Sequence, residues 1–231
     1  MNQPQPLHPA PIVSVDIVLL ALVQGQLCAA LTLRDNEPFA GRWALPGGYV
    51  HVDEDQTDEA AAARILRAKT GLRSPYLEQL RTFAGADRDP RGWSVSIAHY
   101  ALVPLDSLGK ALPDKVKWAP VDELQSMPFD HLTILRTAVE RVRDKSLYSS
   151  LPVHLMPDEF TLTQLQQVYE TLLGASLDKR AFRRRMEELN ILEEVKGWVS
   201  VGAHRPAQLY RIKRRAKKTL KTADSNLGLK A

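Results

Sequence analysis

Five acidic side chains that could bind a divalent cation lie within a short stretch of the chain: Asp53, Glu54, Asp55, Asp58 and Glu59. Carboxylate oxygens are the ligands that Mg²⁺ prefers, and a cation held by them could bind and polarise a diphosphate. Acidic residues are also common just before a helix and in its first turn, where the helix dipole stabilises them. We favour this second interpretation, and the six histidines are too scattered to indicate another metal site.

A second informative cluster is basic. Residues 179–185 contain four arginines and one lysine. On a helix, a buried stripe would be formed by Phe182, Met186 and Leu189. Arg180, Arg183 and Arg184 would then point away from the stripe, towards a partner. Because arginine suits both guanine edges and phosphates, we interpret this helix as a DNA-contacting surface, with a merely solvated basic face as the alternative.

The elements around this helix follow the order of a winged helix-turn-helix. A capping-box pattern at 161–164 starts a helix that ends at Gly174, and a short turn leads into the basic helix. The segments 191–195 and 208–212 can then pair as strands around a basic tip. We therefore expect contacts with double-stranded DNA from Thr163, Lys179, Arg180, Arg183, Arg184, His204 and Arg205.

The N-terminal half is predicted to consist of strands interrupted by two helices. Apolar and β-branched runs predict strands at 13–23, 27–33, 43–45, 76–83, 93–103 and 116–119. Helices are predicted from about Asp58 to Gly71 and from 128 to 142. The order suits an α/β/α sandwich with helices packed on a mixed sheet, so the predicted fold class of the chain is α+β.

The two halves differ in charge. Residues 1–150 contain 16 basic and 18 acidic side chains, whereas residues 151–231 contain 15 basic and 9 acidic ones. A near-neutral body with a basic C-terminal part is typical of a ligand-binding domain joined to a nucleic-acid-binding one. We therefore divide the chain into domains 1–150 and 151–231. The segment 211–221, taken alone, is expected to be a solvated basic tail.

Composition excludes some classes of protein. With 231 residues, 44% of them hydrophobic and 25% charged, the chain can bury a substantial core. It contains no apolar run of the roughly 20 residues that cross a bilayer, and its polar, proline-rich N-terminus does not resemble a signal peptide. The single cysteine, Cys28, lies in an apolar strand-like run and is expected to be a buried, inert thiol. These features indicate a cytoplasmic protein without a membrane partner.

One further loop, DRDPRGW at 87–93, combines arginine with an aromatic ring. Arg88 and Arg91 could bind a diphosphate while Trp93 packs on a ring or ribose. A proline-glycine turn whose charges satisfy one another explains the same residues about as well.

The stretch 41–72 resembles the Nudix box, G-x5-E-x7-R-E-U-x-E-E-x-G-U, in which U is a bulky aliphatic residue. The matching residues are Gly48, Glu54, Arg64, Leu66, Gly71 and Leu72, with two extra residues in the spacer. The three helical glutamates of the family fall here on Ile65, Ala68 and Lys69. Two of these side chains have no oxygen and the third is cationic, so a metal should bind poorly there.

Most of the chain, about residues 12–213, resembles the NrtR family of Nudix-related regulators of NAD metabolism. The resemblance rests on GRWALPGGYV, ARILRAKTGL, DRDPRGW, PFDHLTILRTAVERVR and FTLTQLQQVYETLLGASLDKRAFRRRMEELNIL. It implies a dimer that represses genes of NAD synthesis or salvage from a palindromic operator. The implied effector is ADP-ribose or a related NAD derivative, with no cofactor. The residues expected to bind this effector are Arg42, Trp43, Gly47, Gly48, Glu54, Arg88 and Arg91.

Three functions of different classes are open at this point. The first is an effector-controlled repressor, the second an active ADP-ribose or nucleoside-diphosphate hydrolase, and the third a nucleotide-sensing scaffold that binds protein or RNA. The residues at 65, 68 and 69 argue against the hydrolase, and the helix-turn-helix pattern argues against the scaffold.

Overall fold

Two long strands form the centre of the N-terminal half. The computed structural model describes residues 10–74, 76–104, 112–199 and 206–219. In it, β1 spans Ile12–Val23 and β2 spans Gln26–Leu33. Both are rich in apolar side chains that fit a buried pleated surface. Gln24 and Gly25 take positive φ angles between the strands, so the chain reverses tightly and the predicted hairpin is confirmed.

Five more strands complete the sheet: β3 (Trp43–Ala44), β4 (Gly47–Tyr49), β5 (Tyr76–Gly85), β6 (Ser94–Leu102) and β7 (Val116–Pro120). Within the described residues their order is β3-β2-β1-β6-β5, with β4 paired to β1 and β7 paired to β2. β1 and β6 run parallel, whereas the other neighbours are antiparallel, so the sheet is mixed as predicted.

Side chains of β1 alternate between the two faces of this sheet, as the pleat requires. Val15, Ile17 and Leu19 belong to one apolar cluster, while Val18 and Leu20 belong to a second one on the opposite face. A helix covers each face, which gives the three layers that the sequence predicts.

Helix α1 (Asp58–Thr70) covers the first face. Thr57 caps its start by accepting a hydrogen bond from a first-turn amide, and Gly71 ends it in the left-handed conformation. Ile65 and Leu66 are buried against the sheet. Both ends agree with the prediction because capping residues are local signals.

Helix α2 (His131–Tyr148) covers the second face and continues beyond residue 142, where the sequence predicted its end. The buried face extends past Val142 through Ser146, whose hydroxyl donates to the Val142 carbonyl at 2.6 Å. Because Ser146 is polar, the apolar helical pattern ends in the sequence before the helix does. The predicted helix was therefore shorter than α2.

The C-terminal half begins after α2 and consists of β8 (Phe160–Thr161), α3 (Leu162–Leu173), α4 (Lys179–Leu189), β9 (Leu192–Val199), β10 (Ala207–Ile212) and α5 (Arg214–Thr219). The capping box at Thr161 and Gln164 and the cap at Asp178 confirm the two predicted helices. β10 pairs with β9, as predicted, and also with β8, which was not predicted. The expectation of a fully solvated basic tail is wrong in part, because α5 buries Ala216.

The connector, Leu151–Leu155, joins the two halves without an exposed linker. All five of its residues are buried, and Val153 and Leu155 are completely so. The apolar cluster under α2 continues through the connector to Leu165 and Phe182 of the C-terminal helices. The division of the chain after residue 150 stays a prediction, and the structure shows that a shared core crosses it.

The proposed wing-tip contacts His204 and Arg205 lie outside the described residues. Among the residues that are described, no helix is long and apolar enough to cross a membrane.

The buried connector generates a stability prediction. Replacing Leu155 with alanine should lower the free energy of unfolding by about 2–5 kcal/mol, because the cavity cannot collapse between two packed halves. Glu159→Ala, at an exposed nearby position, is the control and should change it by less than about 0.5 kcal/mol. Urea denaturation measures both. Equal stability of the two variants would mean that the connector is a loosely attached linker.

Candidate functional site

A cleft of about 500 Å³ opens beside the β1–β4 pair. Its walls come from β1, the end of β2 and the loop after it, β4, α1, the 87–93 loop and the start of α2. Of the residues expected to bind an effector, the cleft lining includes Gly47, Gly48, Arg88 and Arg91.

The other three expected effector residues lie elsewhere. Arg42 is exposed in the turn before β3, and Trp43 packs against the core with Lys117 over its ring at 4.5 Å. Glu54 points towards His51, with 3.4 Å between the carboxylate and the imidazole. The structure thus places these three side chains outside the cleft lining.

A buried carboxylate, Asp16 of β1, lies at the floor of the cleft. Ser96 donates a hydrogen bond to it at 2.6 Å, and the His131 Nε2 and an Arg88 guanidinium nitrogen lie at 3.5 and 3.6 Å. Burial by itself would raise the pKa of Asp16, but His131, Ser96 and Arg88 together hold that pKa below its usual value. Asp16 is therefore a charged group with partners already in place.

The two basic partners of Asp16 are themselves fixed. The Leu45 amide donates to His131 Nδ1 at 3.0 Å, which leaves Nε2 as the proton-bearing nitrogen that faces Asp16. Arg88 binds Asp130 through two hydrogen bonds of 2.9 and 3.1 Å, and also donates to the Ser94 hydroxyl. The Arg88 side chain is only 8% exposed, so its burial and its pairing with Asp130 weaken the expectation that Arg88 holds a phosphate.

The two glycines of the cleft allow close packing beneath it. A Cβ atom on Gly47 would lie 2.1 Å from the Asp16 carboxylate, and one on Gly48 would lie 3.3 Å from the Ile65 side chain. Glycine at 47 is therefore required for Asp16 to take its place, independently of any ligand. The sequence placed these glycines in a turn, whereas the structure pairs Gly47 with Asp16 in the sheet.

Two more arginines of the lining are paired with carboxylates. Arg91 makes two side-chain hydrogen bonds to Asp89, of 2.6 and 3.0 Å, and contacts the Tyr49 hydroxyl. Arg64 binds Asp55 in the same bidentate way, at 2.6 and 2.8 Å, and this lowers the pKa of Asp55 to about 2. Asp55 thus serves as a partner for Arg64, which is a further argument against a metal site in this loop.

Arg34 and Lys69 also line the cleft, and neither forms an ion pair with a carboxylate among the described residues. Arg34 donates to the carbonyls of Pro38 and Asn36 at 2.9 and 3.2 Å, and its guanidinium lies 4.7 Å from the centre of the Phe129 ring. Lys69 is exposed on the last turn of α1.

The wall formed by α1 does not fit a divalent cation. Ile65, Ala68 and Lys69, at the positions of the family's helical glutamates, all line the cleft. None of them supplies an anionic oxygen, and the ammonium group repels a dication. In the described part of the chain, no group of three or more His, Cys, Asp or Glu side chains could hold a metal ion.

The second candidate surface is the basic helix α4. Of the predicted buried stripe, Phe182 and Met186 are buried and Leu189 is partly buried. The predicted cationic side chains are exposed: Lys179, Arg180, Arg183 and Arg184. Thr163 is exposed near the start of α3. Arg185, in contrast, donates to the carbonyl of Leu147 at 3.0 Å and lies over the Tyr169 ring. The sequence grouped Arg185 with the other arginines of this run, but the structure uses it to join α4 to α2.

The fold and the two surfaces define a Nudix domain that is followed by a winged helix. Family models agree: residues 10–142 match the NUDIX domain, and residues 152–212 match the NrtR DNA-binding winged helix domain. The chain belongs to the NrtR family.

Known relatives cover most of the chain. It is 42% identical over 209 residues to an ADPR responsive transcriptional repressor of Acinetobacter baylyi, covering 89% of this chain and 83% of the relative. A crystal structure of Shewanella oneidensis NrtR complexed with a 27mer DNA superposes with a TM-score of 0.82, at 36% identity, covering 89% of this chain and 95% of that one. The NUDIX domain of the same Shewanella protein, crystallised with ADP ribose, matches 58% of this chain and 90% of its own length at 36% identity and a TM-score of 0.54.

Three residues that organise the cleft are absent from the predicted set: Asp16, Arg34 and His131. Asp16 is the one acidic residue in the apolar run of β1. Because a buried charge is rarely left unpaired, its position was a usable signal of charged partners elsewhere in the chain. His131 is one of six scattered histidines, and nothing in the sequence connects it with Asp16. Arg34 carried no signal beyond its place at the end of a strand.

The buried position of Asp16 generates a pH prediction. Its folded-state pKa lies below the usual 3.8, so its charge stabilises the fold fully above that pH, and this contribution is lost as the pH falls through the lowered pKa. Asp16→Asn should therefore cost about 3 kcal/mol or more at pH 7 and should reduce the loss of stability below pH 4. Urea denaturation between pH 3 and pH 7 measures both effects.

The matched control for Asp16 is the exposed Asp35, which pairs with Lys115. Asp35→Asn should leave the stability nearly unchanged, because exposed ion pairs contribute little. If the two variants have the same stability at pH 7, Asp16 is not the charged centre of the cleft.

Proposed function

We propose that this protein is a transcriptional repressor that binds operator DNA through its winged helix and is released by ADP-ribose or a related NAD derivative. The observation that most directly supports the proposal is the exposed cationic face of α4, with Lys179 and Arg180 at its N-terminal end. Recognition helices contact bases from that end, and the helix dipole there also favours phosphate. The Acinetobacter and Shewanella relatives, one named as a repressor and the other crystallised with DNA, support the same function.

A single recognition helix presents too few contacts for strong operator binding. We therefore propose a homodimer that places two copies of α4 in successive major grooves, about 34 Å apart, on a palindromic site. Such a regulator would act in the cytoplasm, where it meets its DNA. The domains 1–150 and 151–231 would then be the effector-binding and DNA-binding parts, respectively.

The cleft is the proposed effector site. Its volume of about 500 Å³ is in the range of small-molecule sites, and its lining includes the Gly47–Gly48 backbone. The NUDIX domain of the Shewanella relative was crystallised with ADP ribose, which supports this class of ligand. The Arg91 side chain is more exposed than that of Arg88, at 37% against 8%, so it is the better placed of the two arginines predicted to bind phosphate.

We further propose that the Nudix domain is not a working hydrolase. Hydrolysis of a diphosphate in this fold needs carboxylates on α1 to hold divalent cations, and this chain has Ile65, Ala68 and Lys69 at those positions. The alternative, an active ADP-ribose or nucleoside-diphosphate hydrolase, would have to use other residues.

The function is tested by measuring the affinity of the full-length protein for its own upstream DNA by fluorescence anisotropy. Saturating ADP-ribose should weaken this binding, and operator DNA should weaken ADP-ribose binding by the same factor, since coupling between two sites is reciprocal. If ADP-ribose and NAD both leave the affinity for operator unchanged, the effector assignment is wrong.

The same assay tests the recognition helix. A variant with Arg180, Arg183 and Arg184 replaced by alanine should fold normally, because these side chains are exposed, and should lose about 1–3 kcal/mol of binding free energy per base-reading arginine. An arginine that only contacts phosphate should instead reduce the salt dependence. The control is Arg143→Ala on the exposed face of α2, which should bind normally; normal binding by the triple variant would exclude α4 as the recognition helix.

The expected lack of hydrolase activity is tested separately. With Mg²⁺ and ADP-ribose, we expect no release of AMP beyond trace, because the cation has no ligands on α1. A Nudix ADP-ribose pyrophosphatase serves as the positive control. Turnover on the order of 1 per second or faster would favour the hydrolase instead.

A further inference from the structure

The cationic side chains that line the cleft fall into two groups. Among the described residues, Arg64, Arg88 and Arg91 are each paired with an aspartate by two hydrogen bonds. Each of these pairs is electrically neutral, so their main contribution is to hold the walls. The positive charge left for a ligand comes from Arg34 and Lys69.

Lys69 occupies the position where a hydrolase of this fold would place its third helical glutamate. It lies on the last turn of α1, and it lines the same cleft as the Gly47–Gly48 backbone. Asp35, in the loop that follows Arg34, has its pKa lowered mainly by Lys115 and to a smaller extent by Lys69. Lys69 and the loop that carries Arg34 thus line the same cleft.

We propose that Lys69, together with Arg34, replaces the divalent cation of the hydrolases and binds the diphosphate of the effector directly. This inference rests on the proposed function of the cleft and adds that effector binding does not require a metal. Lys69 would then have two effects: it removes a glutamate that catalysis needs, and it binds the effector.

The chemistry of the two cations explains why one can substitute for the other. A diphosphate carries negative charge that must be balanced in the cleft, and Mg²⁺ can do so only if protein carboxylates hold it. A lysine ammonium provides a positive charge and three hydrogen-bond donors without any supporting ligand. Because it also repels a dication, the two arrangements exclude each other at this position.

Calorimetry with the full-length protein and ADP-ribose tests the inference. In buffer with EDTA, the wild-type protein should bind ADP-ribose, and added Mg²⁺ should change the affinity by less than about twofold, because the proposed diphosphate site uses Lys69 in place of a metal. Lys69→Gln should weaken binding by about 10- to 100-fold, the usual effect of losing a charge-assisted hydrogen bond. Lys69→Arg, which keeps the charge, should recover most of that loss.

The matched control is Arg67→Gln, which removes an exposed positive charge from the same turn of α1 outside the cleft lining. It should bind ADP-ribose like the wild type, so a weakened Lys69→Gln variant cannot be explained by net charge. Circular dichroism checks that α1 is intact in each variant.

The possible failures are distinguishable. If the wild type binds ADP-ribose only with Mg²⁺, or if Lys69→Gln binds as tightly as Arg67→Gln, the inference is wrong while the sensor function stands. If the wild type binds ADP-ribose in neither buffer, the inference and the proposed effector are both wrong.

Discussion

The buried negative charge of Asp16 is the constraint on which the rest of the N-terminal half depends. A carboxylate that leaves water must find charged and hydrogen-bonding partners, and those of Asp16 come from three other segments of the chain. Ser96 lies on the neighbouring strand, Arg88 on the loop before that strand, and His131 at the start of α2. One charge therefore determines how the central sheet, a cleft loop and a helix are placed relative to one another.

The neighbours of this group are explained by the same requirement. Residue 47 must be glycine because any larger side chain would displace the carboxylate. The Leu45 amide determines which nitrogen of His131 faces Asp16, and Asp130 holds the guanidinium of Arg88 from the other side. The polar groups of the cleft floor are consequently paired with one another, and recognition of a ligand falls to side chains at its walls.

The sequence predicted what depends on neighbouring residues and missed what depends on distant ones. The limits of α1, α3 and α4 were correct because Thr57, Thr161 and Asp178 cap helices within one turn of chain. Of the predicted effector residues, Gly47, Gly48, Arg88 and Arg91 line the cleft. The Arg91–Asp89 pair agrees with the alternative in which the charges of the 87–93 loop satisfy one another. The partner of Arg88, Asp130, lies 42 residues further along the chain and could not be inferred from spacing. Asp16 and His131 meet only after the sheet and α2 have packed, so no local pattern connects them.

Helix α2 runs from the cleft to the DNA-binding half. Its first residue contacts Asp16, and carbonyls in its last turn accept hydrogen bonds from Arg185 of the basic helix. Eighteen residues of α-helix make a rod about 27 Å long. Such a rod is a lever: a tilt of about 5° around its cleft end displaces the other end by roughly 2 Å, more than the rise of one helical residue. A small rearrangement of the cleft floor is thus enough to move the basic helix by a distance that matters to a base-reading side chain.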